Sequence, residues 1–167
     1  MRRKFIGSVC LVLGLGLCLP ALSQTSSEAD NAVVYATPDD ADIAKATADA
    51  RATLNNVLER AATGGIPMEA LQLKVAIPRE SGRLEKLWVQ GIVRLDETTL
   101  EGLLANEPHD LPDMKLGDRH RFSVDEIVDW LFVVNGQMHG AYSLRVMLPV
   151  LPKEQADAFR AMLAPLP

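Results

Sequence analysis

The chain has 167 residues, with 17 Lys or Arg against 22 Asp or Glu, so its formal net charge at pH 7 is −5. This length suits one domain with a modest core, and the acidic excess argues against nucleic acid and anionic lipid as partners. Cys10 and Cys18 are its two cysteines. The chain after them therefore has no disulfide, no thiolate metal site and no cysteine nucleophile.

Residues 1–23 have the pattern of a secretory signal. A basic start at 2–4 precedes an apolar run of about fifteen residues, and a small-x-small pattern follows at 21–23. The run is shorter than the about twenty residues that span a bilayer. Leu17, which precedes Cys18, also departs from the small residue that a lipoprotein signal requires. We therefore expect cleavage, a periplasmic or secreted protein, and no membrane insertion afterwards.

Cleavage would remove three basic residues and no acidic ones, leaving 14 basic against 22 acidic residues and a net charge of −8. Residues 24–32 are polar and acidic with little to bury, which predicts a flexible lead that reaches residue 37. Val33-Val34-Tyr35 within it is a candidate for a short edge strand. We expect residues 38–167 to form a single domain.

The domain is predicted to begin with a long helix over 38–62. Thr37 is expected to cap it, and Pro38 suits the first helical position. Apolar residues recur at steps of three and four, which predicts one buried stripe; they are Ile43, Ala46, Ala50, Leu54, Val57 and Ala61.

After residue 70 the apolar period changes from 3.6 to 2, which predicts strands over 71–77, 84–95, 98–104 and 119–124. Gly91 inside the second of these predicts a bulge or the close approach of another backbone. A hairpin follows over 127–147, because two β-rich runs flank Asn135-Gly136, the strongest short hairpin signal. Its alternation predicts that Leu131 and Val133 face the core.

The opposite face of this hairpin carries Trp130, Phe132 and His139. With Trp88 and Arg145 these side chains form the candidate binding patch, since aromatics with an arginine are typical of interface anchors. We expect that either a helix or a partner covers this face. For the two tryptophans, Trp88 and Trp130, core filling is the favoured interpretation and the anchor of a binding patch is the alternative.

Asp129 interrupts the predicted core face opposite Tyr142, so we expect it to accept backbone amides or the Tyr142 hydroxyl. Asp129, His139 and Ser143 have the residue types of a hydrolase triad. On an extended strand, however, His139 and Ser143 would lie about 13 Å apart, and Asp129 would face the other way. Residues His109, Asp110, Asp113, Asp118 and His120 lack any recognised metal-ligand spacing. We predict no catalytic residue, no metal and no cofactor.

A last short helix is predicted over 153–163. A run of strands after a run of helix favours segregated layers. The sequence therefore predicts an α+β fold, in which a long N-terminal helix packs on a curled antiparallel sheet of about five or six strands.

Several separated motifs of the chain resemble the bacterial YegJ-like family, a domain of unknown function numbered 2314. They are Leu73-Lys74-Val75, residues 84–89, residues 101–108, Lys115-Leu116-Gly117-Asp118, residues 127–130 and Gly140-Ala141-Tyr142-Ser143-Leu144-Arg145. The resemblance covers about residues 40–148 and implies a small α+β domain with no established activity. One departure is Lys86, because the family favours histidine there.

These observations favour a non-catalytic binding or interaction module of the cell envelope, with an unknown envelope protein or small ligand as partner. One alternative is a hydrolase of an envelope component that uses Asp129, Glu107 or Asp118 as acid or base; a pocket gathering two of them would support it. The other is an immunity-type inhibitor of a toxin, which the acidic surface and the compartment suit.

Overall fold

The computed structural model describes residues 41–167, so the predicted signal, lead and helix cap lie outside the described residues. Helix α1 spans Ala41–Ala62, and its buried residues include every member of the predicted stripe. Its end after Ala62 agrees with the prediction. The N–H groups of Gly65 and Ile66 both donate to the Arg60 carbonyl and close the last turn.

Six strands follow, all antiparallel to their neighbours, in the order β4-β3-β2-β1-β5-β6. Their bounds are β1 Leu71–Pro78, β2 Leu84–Arg94, β3 Thr99–Leu104, β4 Arg119–Ser123, β5 Ile127–Val134 and β6 Gln137–Gly140. Asn135 and Gly136 both have positive φ, as their turn requires. This confirms the predicted α+β class and the number of strands.

The sheet is strongly curled. In a flat sheet β4 and β5 would lie four strand spacings apart, about 19 Å. The chain passes from Ser123 to Ile127 in four residues, which span at most about 14 Å. Arg51 of α1 holds this crossing by donating to the carbonyls of Ile127 (2.8 Å) and Asp125 (2.6 Å). The sheet therefore bends around α1, with a concave face toward the helix and a convex face away from it.

The predicted bulge at Gly91 is confirmed, because the β2–β3 register shifts between Gln90 and Val93. The bulge reverses the alternation after it. Ile92 is consequently buried and Val93 is 53% exposed, the opposite of the faces predicted by uninterrupted alternation.

The second arm of the hairpin is shorter than predicted. Strand β6 ends at Gly140, and the chain continues into helix α2, Tyr142–Met147, instead of extending to residue 147. Gly140 and Ala141 both have positive φ and turn the chain out of the sheet. A last helix, α3, spans Lys153–Met162 near its predicted bounds, and Met138 of β6 bridges to Leu163 beyond it.

Candidate functional site

Trp130 and Phe132 are part of the core, so they do not belong to an accessible binding patch. They pair across β1 and β5 with Leu73 and Leu71, which are fully buried beneath α1. Directly paired residues share a face of the sheet. The Trp130 indole N–H donates to the Ala50 carbonyl (3.0 Å), which anchors the ring to α1.

The prediction that Leu131 and Val133 face the core is also wrong, because these residues lie on the other side of the sheet from Trp130 and Phe132. Leu131 pairs with Gln72 on the convex face, and Val133 is 39% exposed. The protein's own helix therefore covers the tryptophan side of the hairpin, which was one of the two expected coverings.

The other two members of the hairpin patch also have internal contacts. The His139 ring stacks on Phe132 with centroids 4.6 Å apart. Arg145 donates through Nε to the Gly140 carbonyl (2.9 Å) and through Nη2 to the Ala164 carbonyl (2.6 Å). The five predicted residues do not form one surface. Trp88 is the member that remains half-buried on the convex face.

Asp129 is the most enclosed polar residue of the described chain. It is 1% exposed and accepts four hydrogen bonds, from the N–H groups of Trp130, Tyr142 and Ser143 and from the Ser143 hydroxyl. This confirms the predicted satisfaction by backbone amides. The Tyr142 hydroxyl instead contacts Thr53 Oγ1 at 3.1 Å. By binding the first two amides of α2, Asp129 fixes where that helix begins.

A row of polar contacts crosses the convex face at this point. Lys74 of β1 pairs with Trp88 of β2 on one side and with Asp129 of β5 on the other. Its ammonium lies 5.0 Å from the Trp88 ring centroid and donates to Ser143 Oγ at 3.1 Å. The Ser143 hydroxyl in turn donates to Asp129 Oδ2 at 2.6 Å. We call Lys74, Trp88, Asp129 and Ser143 the polar row.

The sequence analysis missed Lys74 and placed Ser143 on the face opposite Asp129. That placement was wrong because the residues after Gly140 were taken as strand, whereas the turn into α2 brings Ser143 back to Asp129 of β5. The triad still does not form, since the His139 ring packs on Phe132 instead. The signal for Lys74 was its place on the polar side of the alternating run 71–77.

The polar row surrounds a buried carboxylate with hydrogen-bond donors and one cation. Three backbone amides and the Ser143 hydroxyl donate to Asp129. The Lys74 ammonium donates to that same hydroxyl and is attracted by the Asp129 charge. Ser143 and Lys74 therefore balance a buried carboxylate on the convex face.

The other carboxylates of the hydrolase alternative lie elsewhere. Glu107 accepts the Leu116 N–H and Asp118 accepts the Lys115 N–H, both within the β3–β4 loop. The four hydrogen bonds of Asp129 come from Trp130, Tyr142 and Ser143, so neither Glu107 nor Asp118 shares a hydrogen-bond partner with it.

A second buried carboxylate, Glu85, was also missed. It is 6% exposed, accepts the N–H groups of His109 and Asp110, and lies 3.6 Å from Arg79 Nε. These contacts tie the β3–β4 loop to β2. Asn106 has a similar role, because its Oδ1 accepts the Trp88 N–H at 2.8 Å. Among residues 41–167, no group of three His, Cys, Asp or Glu is arranged to hold a metal ion.

The pKa of Lys74 lies below its ordinary value. Burial is the largest cause, the nearby Lys86 charge adds to it, and the Asp129 charge opposes both. The unfolded chain therefore binds more protons than the folded one between the folded-state pKa of Lys74 and 10.5. In that window this lysine makes stability rise with pH.

We expect the unfolding free energy of the wild type, relative to that of Lys74→Met, to rise as pH increases through this window. Urea denaturation of both proteins at several alkaline pH values measures the difference. Comparing the two cancels the titration of tyrosines and other lysines. Parallel pH profiles would contradict the expectation.

The fold and the polar row define a small α+β protein, in which a curled antiparallel sheet holds one helix on its concave face. The chain belongs to the family described as "Uncharacterized protein conserved in bacteria (DUF2314)", whose model matches residues 40–164. The resemblance is thus confirmed, and the match extends beyond residue 148 through α3.

The chain is also similar in sequence to two curated proteins. The chain is 26% identical over 84 residues to the uncharacterized protein YegJ of Escherichia coli strain K12, which covers 50% of this chain and 54% of that protein. It is 32% identical over 77 residues to a protein of Neisseria meningitidis serogroup B named for ankyrin repeats, covering 46% of this chain and 30% of that protein. No solved structure matches the chain.

Proposed function

We propose that the protein is an exported, non-catalytic binding module that docks an acidic partner protein on the convex face of its sheet. The binding surface is the convex patch, defined as Gln72, Lys74, Lys86, Trp88 and Leu131. The observation that carries the proposal is a half-buried tryptophan beside two lysines on the face opposite α1.

The side chains of the patch suit an anchor. Aromatic residues flanked by cations are typical of interface centres, where the ring supplies apolar area and the cation supplies specificity. Trp88 keeps part of its ring accessible while Lys74 lies 5.0 Å from its centroid. Leu131 and Gln72 form a neighbouring cross-strand pair that extends this surface.

Charge argues for an acidic partner. Burial is the main cause of the lowered pKa of Lys74, and the Lys86 charge lies close enough to add to it. Lys86 makes no hydrogen bond or ion pair with any described residue. Asp129, the carboxylate beside Lys74, is buried and fully engaged. A carboxylate from a partner would therefore pair with Lys86, a cation that the described part of the protein leaves without one.

The compartment is part of the same proposal. The basic start, apolar run and small-residue pattern of residues 1–23 support export. Across residues 41–167 no helix has the length and apolar character to cross a membrane. Mass spectrometry of the protein in the periplasmic or secreted fraction tests export, and we expect Gln24 as the first residue. An intact Met1 in the cytoplasmic fraction would overturn this part.

One relative supports an interaction role. The Neisseria meningitidis protein is named for ankyrin repeats, and such repeats build extended binding surfaces. A domain that occurs in one chain with such repeats is suited to recognising a partner protein. Immunity-type inhibition would be one form of such recognition.

A photo-crosslinking amino acid at Gln72 tests the docking surface in cells. We expect it to capture a partner whose crosslinked segment is acidic, and Lys86→Glu to lower the yield at least tenfold. Arg60→Glu is the matched control, because it makes the same charge reversal at an exposed position of α1. Equal losses in both variants, or a crosslinked segment without acidic residues, would overturn the proposal.

A further inference from the structure

A shallow, largely open pocket of about 380 Å³ lies at the corner between α2 and α3, and it shares no lining residue with the convex patch. Its lining residues are Arg145, Leu148, Arg160, Leu163, Ala164 and Pro165. Small-molecule sites usually have volumes of about 300 to 1,000 Å³, apolar walls and a few convergent polar groups. This pocket has four apolar residues and two arginines, so its composition fits a small amphiphilic anion.

Arg145 supplies donors that the protein does not use. Two of its five N–H groups bind the carbonyls of Gly140 and Ala164. Its Nη1 makes no hydrogen bond with a described residue, and no carboxylate oxygen of the described chain lies within 4 Å of its guanidinium. The two carbonyl bonds hold the guanidinium plane in place. The remaining N–H groups can therefore bind a carboxylate with little further loss of side-chain freedom.

The second arginine adds a positive charge at the same pocket. Arg160 donates through Nη1 to Asp157 at 2.8 Å, and Lys153 binds the same carboxylate. One carboxylate thus serves two cations. Arg145 and Arg160 are the two charged residues among those that line the pocket, so its own lining is positively charged.

We propose that this pocket binds a small carboxylate with a short apolar tail, with Arg145 and Arg160 holding the carboxylate and Leu148 and Leu163 contacting the tail. The site is independent of the convex patch, so either proposal can fail alone. A free carboxylic acid and the C-terminus of a peptide share this chemistry.

Amide chemical shifts of the purified protein, titrated with hexanoate, test the pocket. We expect saturable shifts in α2 and around 163–165 with a Kd on the order of 1 mM, the range for a ligand of this size. Hexan-1-ol, which has the tail without the charge, should bind at least tenfold more weakly. A peptide with a free C-terminal Leu, compared with its amidated form, separates the two sources of carboxylate.

Arg160→Gln and Lys153→Gln form a matched pair of variants. Each removes one positive charge that binds Asp157, but Arg160 lines the pocket and Lys153 does not. We expect Arg160→Gln to weaken hexanoate binding about fivefold or more and Lys153→Gln less than twofold. No saturation with either carboxylate probe, equal binding of hexan-1-ol, or equal losses in the two variants would overturn the inference.

Discussion

Replacement of Asp129 by alanine is expected to lower the free energy of unfolding by about 3 to 5 kcal/mol, the usual cost of breaking a buried charge cluster. The variant loses four hydrogen bonds to one carboxylate and leaves the Lys74 ammonium without its compensating charge. Domains of this size have about 5 to 15 kcal/mol in total. Urea denaturation followed by tryptophan fluorescence measures the loss.

Asp113→Ala is the control, because Asp113 is an exposed loop residue with no side-chain hydrogen bond to the described part of the chain. It should change stability by less than about 0.5 kcal/mol. The double variant Lys74→Met/Asp129→Asn should lose less than the sum of its single variants, because it removes both charges together. Strict additivity, or a loss below about 1 kcal/mol for Asp129→Ala, would show that the polar row does not act as a unit.

Replacement of Gly140 by alanine is expected to cost about 3 kcal/mol or more, from backbone strain and overpacking together. Gly140 has φ of 72°, and an added Cβ would lie 2.4 Å from both the ring and the carbonyl oxygen of Trp130. That ring cannot move aside easily, because its N–H is bound to α1. The same residue allows the chain to leave β6 and enter α2. Thermal or urea unfolding measures the loss.

Gly64→Ala separates the two causes. Gly64 has a similar φ of 79°, but an added Cβ would meet nothing within 4 Å. Its substitution should cost about 1 to 2 kcal/mol, the backbone contribution alone. If the two variants lose the same stability, close packing against Trp130 is not the reason for glycine at 140.

These two predictions share one structural cause. Trp130 is fixed beneath α1, Gly140 packs against its ring, and Asp129 captures the amides that follow. The hairpin, helix α2 and the polar row therefore depend on each other. A substitution at one of them should therefore loosen the others. Faster amide hydrogen exchange in α2 would show this for the Asp129 and Gly140 variants.

Local patterns in the sequence were enough for most of the elements. The stripe of α1 is set by residues three and four apart, the turn at Asn135-Gly136 by positive φ, and the bulge by Gly91 within a strand pattern. Each of these signals depends on neighbours along the chain. For that reason the helix, the strand number and the fold class followed without any knowledge of tertiary contacts.

Which side of β5 is buried was decided only by the tertiary structure. Both sides of its sequence are apolar, so alternation separates Trp130 from Leu131 without saying which one meets α1. The β1–β5 register made that choice by pairing Trp130 with the buried Leu73. The meeting of Lys74, Asp129 and Ser143 likewise needed the turn at Gly140, because residues up to 69 positions apart converge only when the sheet and α2 are assembled.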